Sequence, residues 1–219
     1  MLRERLKSLI LGGPPAQESP PSETGPTENS NSVHERHSHG LEQFSFALQE
    51  LQNLVILDLG TISQANVAFI TNLGHKLYSE DFLKAIDGQS AEEPDPALTE
   101  LFLHQNLDFP EAHFDGVLLW DTLEFLPPPF LRATVDRLFK ITKPGACLLA
   151  FFHADERAPA VPFYSYRISS AKTLSLEHQQ MRRPRQLFNN RAVERLFQRF
   201  HSVKFFLTRD KLREVIVRR

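Results

Sequence analysis

The 219-residue chain has one cysteine, Cys147, so no disulfide can form within it, and a disulfide-stapled scaffold is excluded. Cys147 stands in the apolar run Ala146-Cys147-Leu148-Leu149 and reads as a small buried hydrophobe, not a nucleophile. This cysteine usage fits a reducing compartment, and a cytoplasmic location is expected. No apolar stretch reaches the roughly 18–20 residues that a membrane-spanning helix needs. An excess of one charge sign is lacking too. The 25 basic and 27 acidic residues leave a net charge of −2, which removes the footprint expected of a nucleic-acid-binding chain. There is no internal repeat. No Gly-x-Gly-x-x-Gly follows the first strong strand signal, which argues against a nicotinamide-dependent oxidoreductase.

The first eleven residues mix charges (Arg3, Glu4, Arg5, Lys7) with Leu2, Leu6, Leu9 and Ile10 at helical spacing. They read as a short amphipathic helix or a frayed terminus. A secretory signal would run on into a longer apolar stretch, whereas Gly12-Gly13-Pro14-Pro15 interrupts here. Residues 12–40 are rich in Pro, Ser, Glu, Thr and Asn. They offer too little apolar surface to offset chain entropy and are expected to be a disordered linker. His34, His37 and His39 at its end could bind metal. With nothing rigid to hold them they read as a solvated tail, and no metal is expected. The chain thus divides into a tail, residues 1–40, and one folded domain, residues 41–219.

Val55-Ile56-Leu57-Asp58-Leu59 is a continuous apolar run of the kind found in buried parallel strands. Gly60 ends it. Ser63 can cap a helix over residues 64–73, which Gly74 stops. A strand over 75–79 closes on Glu80-Asp81, and a short helix follows over 82–86. Residues 88–96 form an acidic loop. The stretch 98–107 is ambiguous, and a short third strand is expected near 101–104. Residues 115–120 read as a fourth strand, 129–141 as a helix with proline at its start, and 146–152 as a fifth strand. An excursion over 153–187 holds two further strands, 163–168 and 173–177, joined as a hairpin. A helix over 190–199 precedes strands 202–207 and 212–218, which a short connection forces to pair antiparallel. Strands alternating with helices imply a parallel sheet with right-handed crossovers.

Three stretches in register resemble the class I S-adenosylmethionine-dependent methyltransferases: Val55-Ile56-Leu57-Asp58-Leu59-Gly60, the segment from Phe109-Pro110 through Trp120-Asp121 to Leu126, and Leu138 through Lys143-Pro144-Gly145 to Leu149. The resemblance covers residues 53–219. It implies a three-layer Rossmann-like α/β sandwich, with a mostly parallel seven-stranded sheet and an antiparallel C-terminal strand. It implies S-adenosylmethionine as cofactor, lying across the C-terminal strand ends. Asp58 and Gly60 would border its methionine portion. Glu80, with Asp81 beside it, would take the ribose hydroxyls. Asn106 or Asp108 would meet the adenine edge, and Trp120 and Asp121 would border the reacting methyl. Asp121 and His153 are the candidate catalytic groups. The excursion would cover the acceptor, a small molecule or a protein, with Phe163, Tyr164 and Tyr166 as apolar walls. Arg167, Arg182, Arg183 and Arg185 would attract an anionic one.

The loop after Gly60 departs from the family pattern. Ile62 and Gln64 stand where the second and third glycines would be, and a β-branched residue resists positive φ. Either the loop takes a different path or the pocket is narrowed. Phe125 also replaces a histidine often found after the fourth strand. Active methyl transfer and a non-catalytic scaffold or binding module therefore both stand as readings.

Overall fold

The computed structural model describes residues 33–87, 95–206, 208 and 211–219, and residues 31–219 form one compact unit. The elements in order are β1 (Val33–His37), α1 (His39–Gln49), β2 (Val55–Asp58), α2 (Gln64–Asn72), β3 (Lys76–Ser79), α3 (Phe82–Asp87), α4 (Pro96–Asn106) and β4 (Phe114–Trp120). A 3-10 turn over Thr122–Phe125 leads to α5 (Pro128–Ile141), β5 (Thr142–His153), β6 (Val161–Ser170), β7 (Thr173–Arg182), α6 (Asn190–Leu196), β8 (Ser202–Phe206) and β9 (Leu212–Arg218).

The main sheet has the order β3-β2-β4-β5-β9-β8. The first four strands run parallel, and β9 is antiparallel to both β5 and β8. Helices α3, α4, α5 and α6 cover one face with Phe82, Phe102, Phe130, Leu138 and Phe197. On the other face, Phe44 of α1 and Ile70 of α2 share a core with Tyr166, Ile168, Leu174 and Leu176. The last four belong to a small antiparallel sheet of order β1-β7-β6. The expected excursion hairpin is its β6–β7 pair, longer at both ends than the sequence suggested.

Two expectations are corrected. Residues 101–104 are not a strand but the middle of α4, so the main sheet has six strands where seven were expected. The helix wins because its start is specified locally. Asp95 accepts the Leu98 N–H at 2.7 Å, Pro96 opens the first turn, and Leu98 and Phe102, four residues apart, pack on the core. The end of the linker expected over residues 12–40 is also corrected, while residues 12–32 lie outside the described ones. Val33–His37 pairs along β7, and Ser38 caps α1 by accepting the Leu41 N–H at 3.1 Å. The polar composition of 33–37 hid this because the strand sits at a sheet edge and buries only one residue, Arg36. Arg36 pairs with the buried Glu214 of β9, whose carboxylate also accepts the Gly40 N–H at 2.5 Å. A Cβ at Gly40 would lie 2.7 Å from Leu149 Cδ1, so glycine lets α1 approach this close to the sheet. The proposed N-terminal helix and most of the 88–96 loop fall outside the described residues.

Candidate functional site

From β2 the chain passes through α2 to β3 on one side, then returns to β4 on the other. The strand order therefore reverses between β2 and β4. In open α/β sheets, ligands bind beyond the carboxyl ends of the strands at such a switch point. Asp58 ends β2 there, and Trp120 ends β4.

Asp58 is buried, and burial pushes its carboxyl above the ordinary value against three hydrogen bonds that favour the charge. Oδ1 accepts the Gly60 N–H at 3.0 Å and the Trp120 indole N–H at 2.6 Å; Oδ2 accepts from Asn66 Nδ2 at 3.0 Å. A Cβ at Gly60 would lie 2.4 Å from the indole. The glycine is needed here because the Trp120 indole, through Cδ1 and Nε1, takes the space that a Cβ would fill. Trp120 has a φ of 50°, uncommon for a non-glycine residue, and its ring belongs to a cluster of three near-parallel rings with Phe151 (5.9 Å) and Tyr166 (5.0 Å), which are themselves 5.3 Å apart.

Asn66 locks the β6–β7 hairpin onto this arrangement. Besides Asp58, its amide donates to the Tyr166 carbonyl at 3.1 Å and accepts the Ile168 N–H at 2.9 Å. Asn66→Ala leaves a buried backbone N–H without its partner and Asp58 short of a donor. The expected loss is about 2–3 kcal/mol in urea unfolding, with faster amide exchange at Ile168 than elsewhere in β6.

The remaining cavity holds about 10 Å³, lined in part by Gly60, Asp81, Trp120, Asp121, Tyr164 and Tyr166. That is about the space one water requires, against the roughly 300 Å³ or more of a site for a cofactor-sized ligand. In this arrangement the residues do not fit S-adenosylmethionine. Ile62 does not cause the closure: it is 65% exposed, because the loop turns outward before Ser63 starts α2. The closing groups are Trp120 and the hairpin's Tyr166.

The structure brings together Asp58, Gly60, Asp81, Trp120 and Asp121. Asp81 Oδ1 accepts the Lys84 N–H at 3.2 Å and starts α3. Glu80 follows β3, its backbone N–H donating to the Asp58 carbonyl; partial burial raises its carboxyl pKa. Asn106 does not join the cluster. It donates back to the Phe102 carbonyl at 2.8 Å at the end of α4. Asp108 faces His104 and Arg137 instead. Arg167 pairs with Glu177, and Arg182 with Asp87 while lying over Phe125 and Phe163.

His153 sits at the end of β5 beside Glu124, a residue the sequence reading passed over although it is a lone acid in Leu123-Glu124-Phe125-Leu126. His153 Nδ1 lies 2.6 Å from Glu124 Oε2, and Nε2 lies 3.2 Å from the Pro162 carbonyl. A carboxylate beside Nδ1 and a carbonyl beside Nε2 favour the doubly protonated ring. Burial opposes that charge, but hydrogen bonding and attraction to Glu124 outweigh it and raise the pKa. Asp121 is buried, and burial lifts its pKa to about 7, with Glu124 adding and His153 and the Tyr166 hydroxyl opposing.

No protein-family model matches the sequence, and a comparison with curated proteins returns no match. Among solved structures the chain is similar to 1,6-didemethyltoxoflavin-N1-methyltransferase of Burkholderia thailandensis with bound 1,6-didemethyltoxoflavin and S-adenosylhomocysteine. The identity is 14%, over 83% of this chain and 79% of that one, with a TM-score of 0.45. It is also similar to an S-adenosylmethionine-dependent methyltransferase of Methanosarcina mazei, at 14% identity over 77% and 93% of the two chains and a TM-score of 0.46. A third is the CcbJ methyltransferase of Streptomyces caelestis, at 14% identity over 82% and 93% and a TM-score of 0.45.

Proposed function

We propose that the chain binds S-adenosylmethionine in the switch-point crevice and serves methyl transfer to a small-molecule or protein acceptor, with the β6–β7 hairpin as its gate. What supports this reading is the placement of Asp58 and Gly60 on one side of the switch point and Trp120 on the other. In it, Glu80 takes the ribose hydroxyls, and opening carries Tyr166 and the indole away from Gly60. Asp121 is the group placed to carry a proton, since its pKa lies near 7. His153 acts as a positioning residue, because neither ring nitrogen is free to accept.

A second reading has its own observation. The crevice is stapled shut by a direct Trp120–Asp58 hydrogen bond and keeps only about 10 Å³. On this reading the sheet is a non-catalytic binding module. Calorimetric titration with S-adenosylmethionine and S-adenosylhomocysteine separates the two. Roughly micromolar binding by the natural chain, weakened in Glu80→Ala, supports the gated site and leads to an acceptor screen. Binding only by a folded Trp120→Gly variant supports the module with a latent crevice. No heat with either protein, both folded, removes the methyltransferase reading.

A further inference from the structure

We propose that His37, His39 and Glu42 hold a divalent transition-metal ion, zinc by preference, at the junction of β1 and α1. His37 Nε2 and His39 Nδ1 are 3.3 Å apart, and Glu42 Oε2 lies 3.5 Å from the first and 3.6 Å from the second. Ligands about 2.0–2.2 Å from a tetrahedral ion are separated by roughly 3.3–3.6 Å. The three atoms therefore already form one face of a zinc tetrahedron. No other group of three such ligand atoms converges this closely among the described residues.

The backbone supplies the rigidity that a tail would lack. His37 ends β1 opposite Thr173, and the next residue, Ser38, donates its N–H to the Lys172 carbonyl at 2.9 Å. Ser38 then caps α1, and the Glu42 N–H closes the first helical turn on the Ser38 carbonyl at 3.0 Å. The His39 ring also stacks against Phe206 at 6.3 Å. Strand end, cap and helix start thus fix the backbone from which the three ligands project.

Two imidazoles and one carboxylate suit zinc, copper or nickel better than magnesium or calcium, which take oxygen ligands. The side chains are 45%, 56% and 53% exposed, so the ion's fourth position faces solvent and takes water or an external donor. Such a site is weaker than a closed four-ligand one. Its effect on the fold is to tie β1, an edge of the small sheet, to α1, which packs on the main sheet. An ion that binds only this folded junction raises the unfolding temperature.

The test is calorimetric titration of the untagged full chain with zinc chloride, paired with thermal unfolding with and without zinc. The expected result is one ion per chain and a higher unfolding temperature. His37→Ala, His39→Ala and Glu42→Gln each weaken binding by about tenfold or more. His34→Ala serves as control: it is on the same strand but has its ring edge-on to Tyr164, and it leaves binding unchanged. The ligands lie at the surface, so these substitutions leave the core intact. Absence of zinc binding by the natural chain, or binding that survives the His37→Ala/His39→Ala double substitution, would overturn the proposal.

Discussion

Trp120→Ala should cost about 4 kcal/mol in chemical unfolding, the range for emptying a large aromatic site in a close-packed core. The indole is 1% exposed and packed in one ring cluster with Phe151 and Tyr166, and its N–H satisfies a buried carboxyl. Removing it takes away the packing against both rings and a hydrogen bond to Asp58 together. Part of the cost is recovered at φ 50°, where glycine is at ease and alanine is not, so Trp120→Gly should be no worse than Trp120→Ala despite its greater chain entropy. A loss below about 1 kcal/mol would mean that the ring does not fill the crevice as described.

The second large effect is on pH. Asp121 titrates near 7 in the folded chain against an ordinary 3.8. Between these values the folded chain holds a proton that the unfolded chain has released. The stability that this gives is complete below about pH 4 and is lost as pH rises through about 7, up to about 4 kcal/mol in all. Glu124, raised by burial against its bonds to His153, acts in the same direction. His153, also raised, contributes below its ordinary value of 6.5 and loses the contribution as pH climbs through its folded value. The unfolding temperature should therefore fall between about pH 4 and pH 7. Asp121→Asn, uncharged at every pH, should remove most of that fall and be the more stable protein at the alkaline end. An equal fall in both proteins would show that Asp121 does not hold the proton there.

The parallel strands were legible because their runs are continuously apolar: residues 55–58 and 114–120 needed no tertiary context. Stretch 98–107 was not, because its apolar spacing suits both periods; the capping aspartate at position 95 decides it. β1 was illegible because an edge strand with a single buried residue has no apolar pattern to read. Of the site residues the sequence pointed to, Asp58, Gly60, Asp81, Trp120 and Asp121 lie together, whereas Asn106 turns back onto its own helix. The sequence could not show what fills the space between them. Asn66 and Tyr166 come from elements 100 residues apart and matter through one hydrogen-bond set. The altered glycine loop drew attention to Ile62, yet the side chain that takes the room is the tryptophan at the next strand's end.

Trp120 is the chain's only tryptophan, so its fluorescence reports on the crevice alone. Acrylamide quenching of the natural chain, free of added ligand, tests the closed crevice most directly. The account predicts blue-shifted emission and a quenching constant far below that of the unfolded chain in urea, since the ring is shielded by Phe151, Tyr166 and the docked hairpin. Quenching close to that of the unfolded chain, from a protein that is otherwise folded, would contradict it: the indole would then stand out of the crevice, leaving beside Gly60 the room that a cofactor requires.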